Sequence, residues 1–185
     1  MKLITKFRNV LRSWLGVDYG PTVDDMIAMG MKVGKNFWCD HVRIDTSHCW
    51  LISIGDDVTF GPNVYLLAHD ASTKAFLGYT KVGKISIGNN TFIGADATVM
   101  PGVKIGSNCI IGANSVVTKD VPDNTVYAGN PAKFICSSEE YLEKTKALME
   151  IRPVYDSSYT LGGNITPEKK AQMIKELDDG IGFIR

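Results

Sequence analysis

Histidine is scarce in this chain, cysteine follows no pattern, and the charges cancel. Only three histidines occur among 185 residues, His41, His48 and His69. The closest two, His41 and His48, stand seven positions apart, so no short-spaced histidine pair is present to start a zinc site. The four cysteines, Cys39, Cys49, Cys109 and Cys136, form neither a CxxC pair nor a disulfide framework, which suits a reducing cytoplasm. Twenty basic residues balance twenty acidic ones, which excludes nucleic-acid binding driven by net charge. No apolar run is long enough to span a bilayer. Near the start, Leu3, Phe7, Val10, Leu11, Trp14 and Leu15 share one helical face, and Lys2, Lys6, Arg8 and Arg12 interrupt any signal-peptide core. That face either docks on protein or gives peripheral membrane contact through residues 1–15.

What the chain has is a ladder. Ile87, Ile93, Val99, Ile105, Ile111 and Val117 recur every six residues, and glycine follows four of them, at Gly88, Gly94, Gly106 and Gly112. Four positions after each comes a small or β-branched residue: Thr91, Ala97, Val103, Cys109, Ser115 and Val121. A period of six fits neither the helix repeat of 3.6 nor the strand repeat of 2; it fits a hexapeptide parallel β-helix. Three hexads make one coil, with the aliphatic residue inward and the small residue filling the narrow interior. Glycine is expected to turn the corner, where its dihedral freedom matters.

The pattern reaches back through Ile54-Gly55-Asp56-Asp57-Val58-Thr59 and Phe60-Gly61-Pro62-Asn63-Val64-Tyr65 to a looser coil from Val33. Its phase slips before Ile54 and again between Leu66 and Ile87. Residues 70–84 therefore read as a loop thrown out of the prism, the usual place for a binding face. The expected organisation is an N-terminal helical segment over 1–32, the β-helix over 33–136, and a C-terminal helical extension over 137–185. Ser137-Ser138-Glu139-Glu140 starts one helix, and Thr166-Pro167-Glu168 starts another with Thr166 as N-cap. The stretch from Arg152 to Asn164 reads as irregular.

His69 stands at the rim, where a hexad run ends and the loop begins, and an imidazole there can serve as a general base. His48 lies 21 residues earlier, a little over one coil, so the two rings can meet on the prism surface. Asp45 either orients an imidazole, accepts a substrate hydroxyl, or closes an Asx-type turn. Cys49 beside His48 is not a nucleophile pair, because neighbours on an extended segment point to opposite sides. The loop offers Lys74, Phe76, Tyr79 and Lys81 to an acceptor, with Tyr79 the candidate contact.

Four stretches carry a family resemblance: Ile54-Gly55-Asp56-Asp57-Val58 through His69, Ile87 through Gly94, Pro101 through Gly106, and Val117 through Ala128-Gly129-Asn130-Pro131-Ala132-Lys133. Across roughly residues 33–136 the chain resembles the hexapeptide-repeat acetyltransferases of the xenobiotic, galactoside and maltose type. The resemblance implies a mainly β fold, a left-handed parallel β-helix with N- and C-terminal helices, working as a homotrimer with sites between neighbouring prisms. It implies acetyl-CoA as co-substrate and no metal. His69 occupies the place of the family's general base. Phe92, Gly94, Ala95, Ala113 and Thr118 fall along the thioester and pantetheine region, and Lys119 and Lys133 near the phosphates. The acceptor expected is a hydroxyl of a sugar or polysaccharide precursor, with Asp45, His48 and Tyr79 as its contacts. A streptogramin-type antibiotic is the alternative acceptor. A non-catalytic scaffold and a γ-class carbonic anhydrase share the repeat, but the latter carries an H-x4-H pair that is missing here.

Overall fold

The computed structural model describes residues 20–185. The amphipathic segment read over residues 1–15 lies outside the described residues. Three columns of short parallel strands stack into the three flat sides of a prism. The first side holds Lys32–Val33, Ile52–Ile54, Ile85–Ile87 and Lys104–Ile105, and Val121 bridges to Ile105 beyond it. The second holds Trp38–Cys39, Thr59–Phe60, Phe92–Ile93, Ile110–Ile111 and Thr125–Ala128; Lys133–Ser137 then closes it antiparallel. The third holds Arg43–Ile44, Tyr65–Leu66, Thr98–Val99 and Val116–Val117.

The six-residue ladder is the inside of this prism. Ile87 pairs with Ile105, Ile93 with Ile111 and Val99 with Val117, one coil apart. None of the six is more than 4% exposed. Each buried aliphatic side chain contributes about 1.5–3 kcal/mol relative to exposure. The small residues are buried with them, and the polar ones among them are satisfied. Thr91 Oγ1 donates to the Gly106 carbonyl (3.0 Å), and Ser115 Oγ accepts from Gly129 N–H (3.0 Å).

The corners are built differently from the expectation. Left-handed backbone falls not on the glycines that follow the ladder but on Asn36, Asp57, Asn63, Asn90, Asp96, Asn108, Asn114 and Asn124. Asn and Asp tolerate this region because their short polar side chains bond locally. Three of them form a hydrogen-bonded stack, with Asn90 Nδ2 to Asn108 Oδ1 (2.8 Å) and Asn108 Nδ2 to Asn124 Oδ1 (2.9 Å). The ladder glycines answer a different need, close approach. A Cβ on Gly94 would stand 2.5 Å from Ala113 N, and one on Gly61 would stand 2.6 Å from Ala95 N.

Both phase slips have a physical form. The first is a 3-10 turn, Cys49–Leu51, covered by helix α1 (Val23–Ala28), which Thr22 caps in a reciprocal capping box with Asp25. The second is the loop, and it carries structure of its own. His69–Asp70 pairs antiparallel with Lys81–Val82, and the short helix α2 (Lys74–Leu77) spans between them. Beyond the coils, α3 (Ser138–Met149) starts where Ser137 Oγ accepts from Glu140 N–H. Ser138 ties it to the prism by donating to the Asn108 carbonyl (2.6 Å). Helix α4 (Pro167–Glu176) begins at Thr166 as expected. The stretch read as irregular instead contains Val154–Tyr155, paired parallel with Phe183–Ile184, and a 3-10 turn, Ser157–Tyr159.

Candidate active site

Asp45, His48 and His69 come together at the corner where the third side turns toward the first. Asp45 follows the strand Arg43–Ile44, and its N–H donates to the Leu66 carbonyl of the coil above (2.9 Å). That bond sets the residues after Asp45 beside those after Leu66, which include His69. The slightly longer first coil thus brings positions 48 and 69 level. The ring centroids of His48 and His69 are 5.2 Å apart.

The carboxylate of Asp45 divides its oxygens between two tasks. Oδ1 accepts from the N–H groups of Ser47 (3.0 Å) and His48 (3.2 Å), so the turn reading is correct. Oδ2 meets Nδ1 of His69 at 2.5 Å, the contact that an orienting role would use. The side chain of Asp45 is only 1% exposed, while that of His69 is about one-third exposed. An ionised Asp45 accepts the proton on His69 Nδ1 and leaves Nε2 bare, the tautomer a general base requires. His48 caps the 3-10 turn, with its ring 5.4 Å from that of the exposed Trp50. No motif in the sequence singles out Trp50; its place two residues after His48 is the available signal. Cys49 turns away from both histidines, fully buried, with Sγ against the Met26 carbonyl (3.7 Å). His41 is at the surface beside Asp40.

The other predicted residues fall into separate groups. Ala95 and Ala113 stack directly at the corner between the second and third sides, where Asn114 N–H donates to the Ala95 carbonyl (2.8 Å). Gly94 shares that corner, but its N–H is committed to the Ile111 carbonyl (2.8 Å). The amides of Ala95 and Ala113 donate to no acceptor among the described residues, so they are the ones open to a ligand. Thr118 and Lys119, both exposed, lie at the same corner column as His69, higher up the prism. Phe92 projects outward from the second side, in register with Thr59 and Ile110. Lys133 opens the antiparallel strand after Pro131. Tyr79 is exposed on the loop and takes no part in the histidine cluster; its carbonyl accepts from Thr73 Oγ1 (2.8 Å).

Comparison with known proteins agrees with this architecture. Residues 84–119 match the family described as bacterial transferase hexapeptide (six repeats). The chain is 43% identical over 129 residues to Protein CapG of Staphylococcus aureus, covering 65% of this chain and 74% of that protein. It is 37% identical over 121 residues to the putative acetyltransferase YvoF of Bacillus subtilis, covering 65% and 68% respectively. Among solved structures it is similar to a galactoside acetyltransferase in complex with coenzyme A. That similarity has a TM-score of 0.53 at 29% identity and covers 65% of this chain and 71% of the other.

Proposed function

Because this chain belongs to the hexapeptide-repeat acetyltransferases and is an acyltransferase, we propose that it moves an acetyl group from acetyl-CoA to a saccharide hydroxyl, with His69 as general base. The observation that carries the reading is the 2.5 Å contact between His69 Nδ1 and the buried carboxylate of Asp45. With the proton on Nδ1 held by Asp45, Nε2 is the nitrogen left to receive a proton.

The reaction then needs no covalent enzyme intermediate. His69 Nε2 takes the proton of the acceptor hydroxyl as the oxygen attacks the thioester carbonyl. The tetrahedral intermediate collapses, the C–S bond breaks, and the imidazolium returns its proton to the departing CoA thiolate. A base so placed contributes about 10²–10⁴ in rate. The amides of Ala95 and Ala113, rather than Gly94, are the donors we assign to the acetyl-CoA wall, because both are uncommitted while the Gly94 N–H is bonded to the Ile111 carbonyl. A neutral wall suits the pantetheine arm, and the cations of Lys119 and Lys133 suit the phosphates.

Two features support a sugar as acceptor. The similar galactoside acetyltransferase is named for one, and the exposed indole of Trp50 gives the His48–His69 pair an aromatic flank for the apolar face of a ring. Asp45 is spent on His69 and its own turn, so we assign it to orientation and keep His48 and Tyr79 as acceptor contacts. A trimer is part of the same proposal. The first side turns Lys32, Ser53, Ser86 and Lys104 outward, a solvent face. The second turns out Trp38, Thr59, Phe92 and Ile110, and the third Arg43, Tyr65, Thr98 and Val116. Only the latter two sides have the apolar content of an interface. All four cysteines are free, which supports a reducing setting as part of the proposal. No described helix is long and apolar enough to cross a membrane. Thiol release from acetyl-CoA, screened over sugars, nucleotide-sugars and streptogramins, tests the reading; a streptogramin as the only acceptor would overturn the saccharide assignment.

A further inference from the structure

The spacing of histidines along the chain offers no zinc pair, yet the stacking of coils supplies one. One ligand atom from each of Asp45, His48 and His69 lies within 4.8 Å of the others. Within this group, His69 Nδ1 and Asp45 Oδ2 are 2.5 Å apart, and His48 Nδ1 and Asp45 Oδ1 are 4.0 Å apart. The second separation is too long for a hydrogen bond. His48 Nδ1 is buried and makes no hydrogen bond to any described residue, an arrangement that burial disfavours for a polar atom. Around a tetrahedral zinc with bonds of about 2.0–2.2 Å, ligand atoms stand about 3.4 Å apart, between the two separations found here. Two imidazoles and one carboxylate are also a known zinc donor set, with the fourth position left to water.

We propose that Asp45, His48 and His69 form a binding site for a divalent transition metal of the zinc type, and that its occupancy switches acetyl transfer off. An ion there gives the orphaned His48 nitrogen its partner and inserts between His69 and Asp45. A metal on Nδ1 of His69 leaves the ring proton on Nε2, the nitrogen that has to be bare to receive the acceptor's proton. The acidic partner of the base is drawn into the same coordination. Metal and catalysis therefore compete for one imidazole. The inhibition, though not the binding, rests on the reading of His69 as base.

Calorimetric titration of the full chain with Zn²⁺, and visible absorption with Co²⁺ in its place, read the site without reference to activity. One ion per chain is expected, with the intense bands of a low-coordinate Co²⁺. The variant His48→Phe keeps a ring against Trp50 and His69 but removes the nitrogen, and should weaken binding by roughly 100-fold or more, the upper scale on which even outer partners act. Asp45→Asn is a second variant with the same expectation. Thiol release by the wild type should fall in step with Zn²⁺ occupancy and return on addition of EDTA. Absence of saturable binding, or equal binding by His48→Phe, would overturn the site. Binding at the cluster with undiminished thiol release would overturn the switch and count against the base. A missing site together with an inactive His69→Ala would sink the metal proposal alone.

Discussion

Asp45 shows how one buried side chain can hold a turn and a histidine together. Its Oδ1 is taken by the Ser47 and His48 amides, and its Oδ2 by His69. An Asn at this position keeps the acceptor for the two amides, so the turn survives, but its second group no longer balances an imidazolium. Asp45→Asn should therefore fold and bind acetyl-CoA with KM within about twofold, while kcat falls by about 10²–10⁴, the scale of losing an orienting carboxylate. Steady-state thiol release separates the two constants. The ladder glycines make a second residue-scale case. Because a Cβ on Gly94 would meet Ala113 N at 2.5 Å, backbone against backbone, neither side can yield by rotating a side chain. Gly94→Ala should destabilise by about 1–3 kcal/mol and lower Tm by several degrees in calorimetry. A Gly94→Ala protein melting with the wild type would show that the coils are not in contact there. The sequence pattern located these glycines but not their reason. A hexad says that position is special, not whether a dihedral or a neighbouring coil makes it so.

At the scale of elements, the loop is the piece that chemistry can loosen without touching the prism. Lys81 Nζ meets Asp70 at 2.6 Å across the base of the loop, and the Ser72 amide donates to Asp70 Oδ1 (2.8 Å). The bond from Lys81 first, and those from Ser72 after it, pull the Asp70 carboxyl down from 3.8 to about 2. A depressed carboxyl stabilises the fold above its unfolded pKa and loses that contribution as pH falls through the folded one. The pairing of Asp70 with Lys81 should thus be intact at pH 5 and weaken only between about pH 4 and pH 2. Hydrogen exchange of the loop amides across that range checks it, and Lys81→Ala should move the loosening toward higher pH.

Legibility also divides along elements. The intact hexads from Ile87 to Val117 were readable because each buried position repeats without interruption. The starts of α3 and α4 were readable from Ser137 and from Thr166-Pro167, where a cap has one job. The pairing of Val154–Tyr155 with Phe183–Ile184 was not, since two-residue strands carry no period and their partners lie far apart in sequence. The histidine cluster falls between these cases. His48 and His69 were placed near each other from the coil length, but the orphaned nitrogen depends on the 3-10 turn at Cys49–Leu51, which no pattern announces.

The described coils form a prism with one polar side and two less polar ones, and that asymmetry argues for assembly. Lys32, Ser53, Ser86 and Lys104 keep the first side in water; the Trp38–Phe92–Ile110 and Tyr65–Val116 stripes do not have that excuse. Sedimentation should give a mass about three times the 20.3 kDa chain. Substitution of outward residues of the first side should leave that mass unchanged, whereas Tyr65→Lys should break it down. A monomer that transfers acetyl groups at full rate would contradict this assembly.

The proposed transfer turns on His69. Thiol release from saturating acetyl-CoA should be compared between the wild type and His69→Ala, using the best acceptor from the saccharide screen, with acetyl-CoA affinity measured in parallel. The reading of His69 as general base predicts a rate lower by about 10²–10⁴ with donor affinity unchanged. Transfer within about threefold of the wild type would contradict it.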